Sequence, residues 1–407
     1  GADVNRRDYQ NDTPLWLAAK NHHQEVATLL QKKCCDASII FEAAEQNKED
    51  VLETLLAYGH LKKMINNKDE KGLTALHIAS KRGYLKIVTC LLKHNAEVHV
   101  KDGKENPPAS DVNHENEDNQ STTSEYFQPL WSDKERSLCA GKEWTPLHYA
   151  SVHGHADVVH VLIQWYPTAV DDLDVKGNTA FHLAAENGRD KVLGVLKLKD
   201  ERLLIKTNKD GQSALHLAAS KGWRKTCTLL LGYSQSLLDA EDTQGMTPLH
   251  LAAKHGHPAV IELLLDKGAN ILPDKTGLNY FDHAIDNGHT DVVKMIISSD
   301  KCYIALRNAK QQKNGSIDTP MRKLIREMPK MAKLACDRCI ERQTEKSAIH
   351  VYEFLDDTYA AEGWKTTTKA RDGGGKTYGK DQQLNGKAKP YTDNSYIRKQ
   401  NHPLMIM

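Results

Sequence analysis

The chain has 407 residues and a formal net charge of +1, so no excess of positive charge favours nucleic-acid binding. Aromatic residues make up only 6% of the chain, which indicates a core of small aliphatic side chains assembled locally. Eight scattered cysteines are too few for a disulfide framework and indicate reduced thiols in a cytosolic protein. No apolar run reaches the roughly 18–20 residues that span a bilayer. The chain begins at Gly1 without a signal peptide, which is typical of a piece of a longer protein.

One motif recurs at a constant spacing of 34 residues. It consists of Thr or Ser, two small or apolar residues, His, a further apolar or aromatic residue, and Ala. The four regular copies begin at Thr145, Thr179, Ser213 and Thr247, and their histidines are His148, His182, His216 and His250. Weaker copies begin at Thr13, Ser38, Thr74 and Asn279. The chain therefore contains eight copies.

Each copy predicts two helices and a turn. Thr or Ser is a good N-cap residue, and a glycine nine residues later permits the left-handed conformation that ends a helix. In the regular copies these glycines are Gly154, Gly188, Gly222 and Gly256. A second apolar-faced helix and a turn, such as residues 242–245, come next. This unit resembles the ankyrin repeat over residues 1–300, and it predicts a mainly α fold, an ankyrin-repeat α-solenoid.

Three irregularities interrupt the array. The second copy begins only 25 residues after the first, which leaves no room for a full turn. Thr74 and Thr145 are 71 residues apart, 37 more than one period, and the polar, acidic excess at residues 104–142 predicts a disordered insertion. The first copy carries Val26 and Leu29 with no repeat before it, so we expect part of its apolar surface to face water.

The periodicity stops near residue 300. Thr319 and Pro320 predict the start of a short helix, and Pro329 predicts the start of a second helix that continues to Ile340. Residues 349–355 have strand character. Residues 301–364 are therefore interpreted as a small α/β linker module, a helix-turn-helix plus strand that couples the array to the C-terminal part of the chain. Residues 365–407 are basic, polar and Gly-rich, and they predict a flexible linker that leads to a transmembrane region outside this chain.

Short motifs after the array resemble a known family. They are Thr319-Pro320 with Leu324-Ile325 and Met328-Pro329, then Asp337-Arg338-Cys339-Ile340, Tyr352 with Phe354-Leu355, and Asn401-His402-Pro403-Leu404. Together with the repeats they resemble the cytosolic part of transient receptor potential ankyrin-type (TRPA) cation channels. The resemblance implies a homotetramer, assembled through regions outside this chain, at the cytosolic face of the plasma membrane. It also implies a non-selective cation channel that responds to chemical or thermal stimuli.

No catalytic, cofactor or metal site is predicted. The motif histidines are interpreted as structural, each bridging the turn of its own repeat to the neighbouring repeat. His153 and His155, and likewise His255 and His257, flank helix-ending glycines and are expected to be exposed to solvent. Residues 373–377 resemble part of a phosphate-binding loop (P-loop), but Ala370 occupies the position at which that motif requires glycine. The chain is therefore not expected to be an enzyme.

The cysteines fall into two groups. Cys227 lies at an apolar position of a second helix and is expected to be buried and inert. Cys336 and Cys339 are three residues apart on a predicted helix, hence on one face, and basic neighbours are placed to lower a thiol pKa. These neighbours are Lys333, Arg338 and Arg342. The pair is either semi-buried and structural or sensitive to electrophiles. The resemblance implies reactive cysteines in this region and aligns Cys339 with one of them.

Two hypotheses for function come from different classes. The first is a cytosolic sensor and gating scaffold of a TRPA-like channel, in which strain in the repeats or linker reaches the pore. The second is a soluble ankyrin-repeat adaptor that binds protein partners through its concave face. The basic linker is either a solvated spacer or a contact for anionic lipid headgroups or inositol polyphosphate.

Overall fold

The computed structural model describes residues 4–9, 12–33, 37–57, 60–103, 142–306, 308, 310–311, 317–338, 340–344 and 347–350. The chain divides into two compact units, residues 1–214 and residues 215–407. Most of the predicted insertion, at residues 104–141, and the whole predicted linker at residues 365–407 lie outside the described residues.

In its described part, the first unit contains five pairs of short helices. Their bounds are α1 Pro14–Lys20 and α2 Gln24–Gln31, α3 Ser38–Glu45 and α4 Glu49–Ala57, α5 Ala75–Arg82 and α6 Leu85–Lys93, α7 Pro146–His153 and α8 Ala156–Trp165, and α9 Ala180–Glu186 and α10 Asp190–Lys199. From the second pair to the fifth, first helices pack on first helices and second helices pack on second helices. Short 3-10 helices come after three of the pairs, at His60–Met64, Pro167–Asp171 and Glu201–Leu204.

The second unit continues the pattern and then leaves it. Three helix pairs have the bounds α11 Ala214–Ser220 and α12 Arg224–Tyr233, α13 Pro248–Lys254 and α14 Pro258–Asp266, and α15 Tyr280–Asp286 and α16 Thr290–Ser298. The later elements are α17 Cys302–Leu306, β1 Lys310–Gln311, β2 Ile317–Asp318, α18 Pro320–Glu327, α19 Pro329–Arg338, β3 Ile340–Thr344 and β4 Ser347–His350. The strands form two antiparallel hairpins, β1 with β2 and β3 with β4. Helix α18 packs on α15, and α19 packs on α16.

The eight helix pairs confirm the predicted fold class, a mainly α ankyrin-repeat solenoid. The core is aliphatic, as the composition indicates, and the paired alanines of the motif are fully buried. Ala184, Ala185, Ala218 and Ala219 each have 0% of their surface exposed. Side chains this small let neighbouring helices approach closely, so within each unit the pairs bury their apolar faces against one another rather than in one central core.

Two boundary predictions are wrong. Ser38 is the first residue of α3 rather than its cap, and Ala37 at the cap position offers no side-chain oxygen to the helix N–H groups. Helix α19 ends at Arg338, and Ile340 begins β3 instead of continuing the helix. An isoleucine satisfies a helix and a strand pattern equally over so short a stretch. Of the predicted strand at residues 349–355, Ile349 and His350 belong to β4, and the remainder lies outside the described residues.

Within the described residues, no helix combines the length and the apolar character needed to cross a membrane.

Candidate functional site

A threonine and a histidine close the start of the first helix in several repeats. The Thr74 backbone N–H donates to His77 Nδ1 at 3.1 Å, and the His77 backbone N–H donates to Thr74 Oγ1 at 3.4 Å. This reciprocal pair satisfies two N–H groups that a helix start leaves unpaired. The same arrangement occurs in the repeats of Thr145 with His148, Thr179 with His182, and Thr247 with His250. Ser213 and His216 occupy the corresponding positions at α11.

In three of these histidines, His77, His182 and His216, the second ring nitrogen bonds to a carbonyl of the next repeat. His77 Nε2 donates to the Trp144 carbonyl at 3.0 Å, and His182 Nε2 donates to the Lys206 carbonyl at 3.0 Å. A carbonyl oxygen only accepts, so Nε2 carries the proton and Nδ1 is the acceptor that caps the helix. The imidazoles of His77, His182 and His216 therefore link two repeats in their neutral form, whereas Nε2 of His148 and Nε2 of His250 are buried without a hydrogen-bond partner among the described residues.

Burial keeps these imidazoles neutral. It lowers the pKa of His77 to about 3 and the pKa of His148, His182 and His250 to about 4. Burial also lowers the pKa of His216. In each case the loss of hydration disfavours the imidazolium form more than nearby hydrogen-bond acceptors favour it. These histidines are uncharged near pH 7.

The turns between repeats are closed by a buried aspartate. Asp174 Oδ1 accepts the backbone N–H of Lys176 at 2.9 Å and that of Asn178 at 2.7 Å. Asp69, Asp242 and Asp274 make the same two bonds in their own turns. Neighbouring turns also pair through their backbones, as where the Lys209 N–H donates to the Lys176 carbonyl at 3.0 Å. The turns of each unit thus form a hydrogen-bonded row.

The long insertion enters one of these turns. Asp102 Oδ1 accepts the Trp144 N–H at 2.7 Å, and the Asp102 N–H donates to the Trp144 carbonyl at 2.9 Å. Tyr149 Oη donates to Asp102 Oδ2 at 2.7 Å. Glu143 takes the left-handed conformation, with φ of 55°, that glycine has in the other turns. The base of the insertion therefore keeps the geometry of an ordinary turn between repeats.

A second row of bonds joins repeats at the opposite end of the first helix. His155 Nε2 donates to the Lys81 carbonyl at 3.0 Å, and His257 Nε2 donates to the Ser220 carbonyl at 3.0 Å. The predicted exposure is confirmed for His153 and His255, and it is wrong for His155 and His257, which are half-buried. Arg189 and His289 donate to Val152 and Lys254 in the same way. Each of the four donor residues directly follows a helix-ending glycine, and this repeated position was a signal that could have identified them.

The described cysteines differ in burial. Cys90, Cys227 and Cys302 are buried, and Cys336 is partly exposed on α19. Burial and the neighbouring Asp337 carboxylate raise the pKa of Cys336, so the expectation that basic neighbours lower it is wrong. Cys339 lies outside the described residues. The reactivity of this pair stays a prediction. No set of three or more His, Cys, Asp or Glu side chains in the described part of the chain is arranged to hold a metal ion.

Comparison with known proteins agrees closely with the repeats. The family model for ankyrin repeats in three copies matches residues 32–102, 120–202, 198–273 and 235–308, and the single-repeat model matches residues 10–40. The chain belongs to the ankyrin-repeat family. These matches together cover more than half of the chain, from the first repeat to the last.

Two curated relatives extend the similarity beyond the repeats. The Transient receptor potential cation channel subfamily A member 1 homolog of Caenorhabditis elegans is 27% identical over 365 residues, which is 84% of this chain and 26% of that protein. The human Transient receptor potential cation channel subfamily A member 1 is 26% identical over 364 residues, 86% of this chain and 29% of that protein. Protein glp-1 of Caenorhabditis elegans is 27% identical over 214 residues, 50% of this chain and 14% of that protein.

The two subfamily A channels differ from Protein glp-1 in the share of this chain that their alignments cover, 84% and 86% against 50%. Coverage of 84% exceeds the array, whose last helix ends at Ser298, so the two subfamily A alignments include residues outside the repeats. The predicted resemblance is thereby confirmed, and the chain corresponds to an ankyrin-repeat region of the TRPA type. It spans only between 26% and 29% of the length of these two relatives.

Proposed function

We propose that this chain is the cytosolic sensor and gating scaffold of a TRPA-like non-selective cation channel that responds to chemical or thermal stimuli. The observation that carries the proposal is the similarity to two subfamily A channels over 84% and 86% of the chain. The chain acts without catalysis, as a scaffold. Its channel would be a homotetramer in the plasma membrane, assembled through regions outside this chain.

The hydrogen bonds between repeats suit a scaffold that passes on strain. Within the first unit, α5 is held to the following repeat at one end through His77 and Trp144 and at the other end through Lys81 and His155. A displacement of one repeat therefore exerts force on the neighbouring repeat at both ends of its first helix. Repeat arrays couple through such nearest-neighbour interfaces. Strain in the array would therefore pass from the last repeat to the helices that follow it, α18 and α19.

Chemical stimuli would act on the cysteines after the array. Cys336 is the partly exposed thiol on α19, and Cys339 is the residue that the family resemblance aligns with a reactive position. Alkylation of either would add bulk next to the packed helices α18 and α19 and strain them. The basic linker at residues 365–407 would hold this region near the membrane through anionic lipid headgroups or inositol polyphosphate.

The test starts from the transcript that encodes this chain. Its reading frame is expected to continue beyond Met407 into several apolar segments long enough to span a bilayer. The full-length protein, expressed in cells, should carry a cation current that iodoacetamide evokes and that Cys336→Ser together with Cys339→Ser abolishes. A reading frame without membrane-spanning segments would contradict the proposal and support the adaptor function.

The second candidate, a soluble adaptor, is favoured by exposed apolar side chains near the turns. Leu173 and Val175 have 45% and 44% of their surface exposed, and Ile205 has 70%. Exposed apolar residues at one edge are typical of protein-binding surfaces. Leu173→Ser with Val175→Ser should abolish capture of a protein partner if the chain is an adaptor, and should leave the evoked current unchanged if it is a gating scaffold.

A further inference from the structure

The last repeat departs from the others at one buried position. Asp282 stands three residues after the cap Asn279, where the regular repeats have histidine. It keeps the capping role, because the Asn279 N–H donates to Asp282 Oδ2 at 3.1 Å and the Asp282 N–H donates to Asn279 Oδ1 at 3.0 Å. Only 2% of its surface is exposed. The substitution therefore places a carboxylate where the other repeats carry a neutral imidazole.

The carboxylate meets a buried lysine from the helix pair after the array. Lys323 on α18 lies with Nζ 3.3 Å from Asp282 Oδ1 and 2.9 Å from Asp286 Oδ2, and its side chain is only 7% exposed. Asn308 Nδ2 donates to Asp282 Oδ2 at 2.6 Å. We call Lys323, Asp282 and Asp286 the Lys323 pin. Burial opposes the charge on Lys323, and the two carboxylates more than offset it, so that the pKa of Lys323 is raised.

Lys323 and Asp282 are buried in a mainly apolar contact, and Asp286 lies at its exposed edge, with 36% of its side chain exposed. On α18 the buried neighbours of Lys323 are Met321 and Leu324, and on α19 the buried residues are Ala332 and Ala335. Two short helices with so few buried side chains have little apolar area with which to hold a docked position. Removing one member of a buried ion pair leaves the other charge without compensation, which is strongly destabilising. Docking of the helix pair thus depends strongly on this buried charged contact, since the ion pair between Arg338 of α19 and Asp300 is exposed to solvent and exposed ion pairs contribute little.

We infer that the Lys323 pin is the switchable link between the repeat array and the coupling helices, which dock on α15 and α16 when it is closed and separate when it is broken. The Lys323 pin makes docking nearly all-or-none. When Lys323 is only partly separated from the two carboxylates, its ammonium group has lost their attraction and is not yet hydrated, so intermediate positions are unfavourable. Its role in gating rests on the proposed function. The docking equilibrium itself does not.

The test is hydrogen exchange of the whole chain, followed by mass spectrometry at the level of peptides. Lys323→Met keeps the length of the side chain and removes the charge. It should lower the protection of amides in α18 and α19 by about 100-fold or more, as expected for an uncompensated buried carboxylate. Protection in α13 and α14 should stay unchanged. Lys333→Met, on the exposed face of α19, is the matched control and should change neither region.

A double variant separates charge from packing. Lys323→Met combined with Asp282→Asn leaves no buried charge in the pin, while the amide still accepts from Asn279. Protection of α18 and α19 should return to within about tenfold of the unmodified chain, because replacing both partners of a buried pair is far milder than removing one. Unchanged protection in the single variant, or no recovery in the double variant, would overturn the inference. If protection behaves as expected but Lys323→Met leaves the evoked current of the full-length protein unchanged, the pin stands as a docking contact and its role in gating is wrong. A full-length protein without an evoked current would contradict the proposed function and leave the docking result intact.

Discussion

Two glycines that end first helices differ in what a side chain would meet. Gly222 has a φ of 77°, and a Cβ there would lie 2.6 Å from Nδ1 of His257. Gly288 has a φ of 74°, with no atom within 4 Å of the corresponding Cβ position. Alanine at either position incurs the left-handed penalty of about 1–2 kcal/mol. Only at Gly222 must it also displace the ring that donates to Ser220.

Gly222→Ala should therefore destabilise the chain more than Gly288→Ala, by about 1–2 kcal/mol beyond the shared backbone penalty. Urea unfolding, monitored by circular dichroism, measures the difference. Equal losses in the two variants would show that the imidazole of His257 moves aside freely and that its bond to Ser220 contributes little.

Thiol chemistry gives a second prediction at the scale of single residues. Cys227 has 0% of its surface exposed, whereas Cys336 is partly exposed. Iodoacetamide should therefore modify Cys336 well before Cys227 under native conditions, and Cys339 should be faster than Cys227 as well. Because its pKa is raised, Cys336 should react more slowly at pH 7.5 than a free cysteine does. Peptide mapping over time gives the order, and early modification of Cys227 would contradict it.

The insertion provides a prediction about one turn. Its base already has turn geometry between Asp102 and Trp144. Joining Gly103 directly to Lys142 would leave the same number of residues between Asp102 and Trp144 as between Asp174 and Asn178. Such a deletion should not destabilise the chain, and closure entropy alone should raise the free energy of unfolding by up to about 2 kcal/mol, because the deletion amounts to roughly four successive halvings of the loop length, at about 0.6 kcal/mol for each.

A control deletion removes Lys142 as well and shortens the turn by one residue. It should break the bond between Asp102 and the Trp144 N–H and destabilise the chain by about 1–3 kcal/mol. Urea unfolding distinguishes the two deletions. A loss above about 2 kcal/mol from the first deletion would mean that the insertion contributes to the folded structure.

The helices that the sequence predicted well are those whose ends are determined by residues close to them in the chain. Caps such as Thr179 and helix-ending glycines such as Gly188 act within a few residues of themselves, so a period of 34 residues locates their helices. The bond from His155 to Lys81 spans 74 residues of chain, and the partner of Lys323 is known only once α18 packs on α15. The partner of Lys323 leaves no local pattern, and the partner of His155 lies in another repeat, so that only the repeated position of His155 after a glycine marked it. The end of α19 was predicted wrongly for a local reason, because Ile340 fits a helix and a strand pattern equally.

At the scale of the whole molecule, the buried histidines make stability depend on pH. Their pKa is lowered in the folded chain, to about 3 for His77 and about 4 for His148, His182 and His250. Below pH 6.5 the unfolded chain binds protons that the folded chain does not, so stability falls as the pH decreases from about 6.5 towards 4 and is fully present above 6.5. Each histidine contributes at most about 1.4 kcal/mol per pH unit within this window.

Urea unfolding at pH 7.0, 6.0 and 5.5 should therefore show a progressive loss of stability. His182→Gln should be less stable at pH 7.0, because it lacks the imidazole that caps α9, but its stability should change less between pH 7.0 and 5.5. A slope that His182→Gln leaves unaltered would show that His182 is protonated in the folded chain as readily as in the unfolded one.

Stability should also be distributed unevenly along the array. In the first repeat, Val26 and Leu29 on α2 have 48% and 65% of their surface exposed, so this helix buries less apolar area than α6 or α8. In the second repeat, α3 has no side-chain cap, which typically forfeits about 1 kcal/mol. The repeats of Thr145 and Thr179 have the reciprocal cap, and each is bonded to a neighbouring repeat, the first through His155 and the second through His182. In an array that couples through neighbours, the weakest repeats at one end open first.

Amides of residues 12–57 should therefore exchange faster than those of α7 and α9 in native-state hydrogen exchange. Ala37→Ser should slow the exchange of α3 by about fivefold, since it restores a capping oxygen. Protection in α2 and α3 equal to that in α7 and α9 would show that burial of the first helices alone, with Leu15 and Trp16 at 2% and 3% exposed, is enough to hold this end closed.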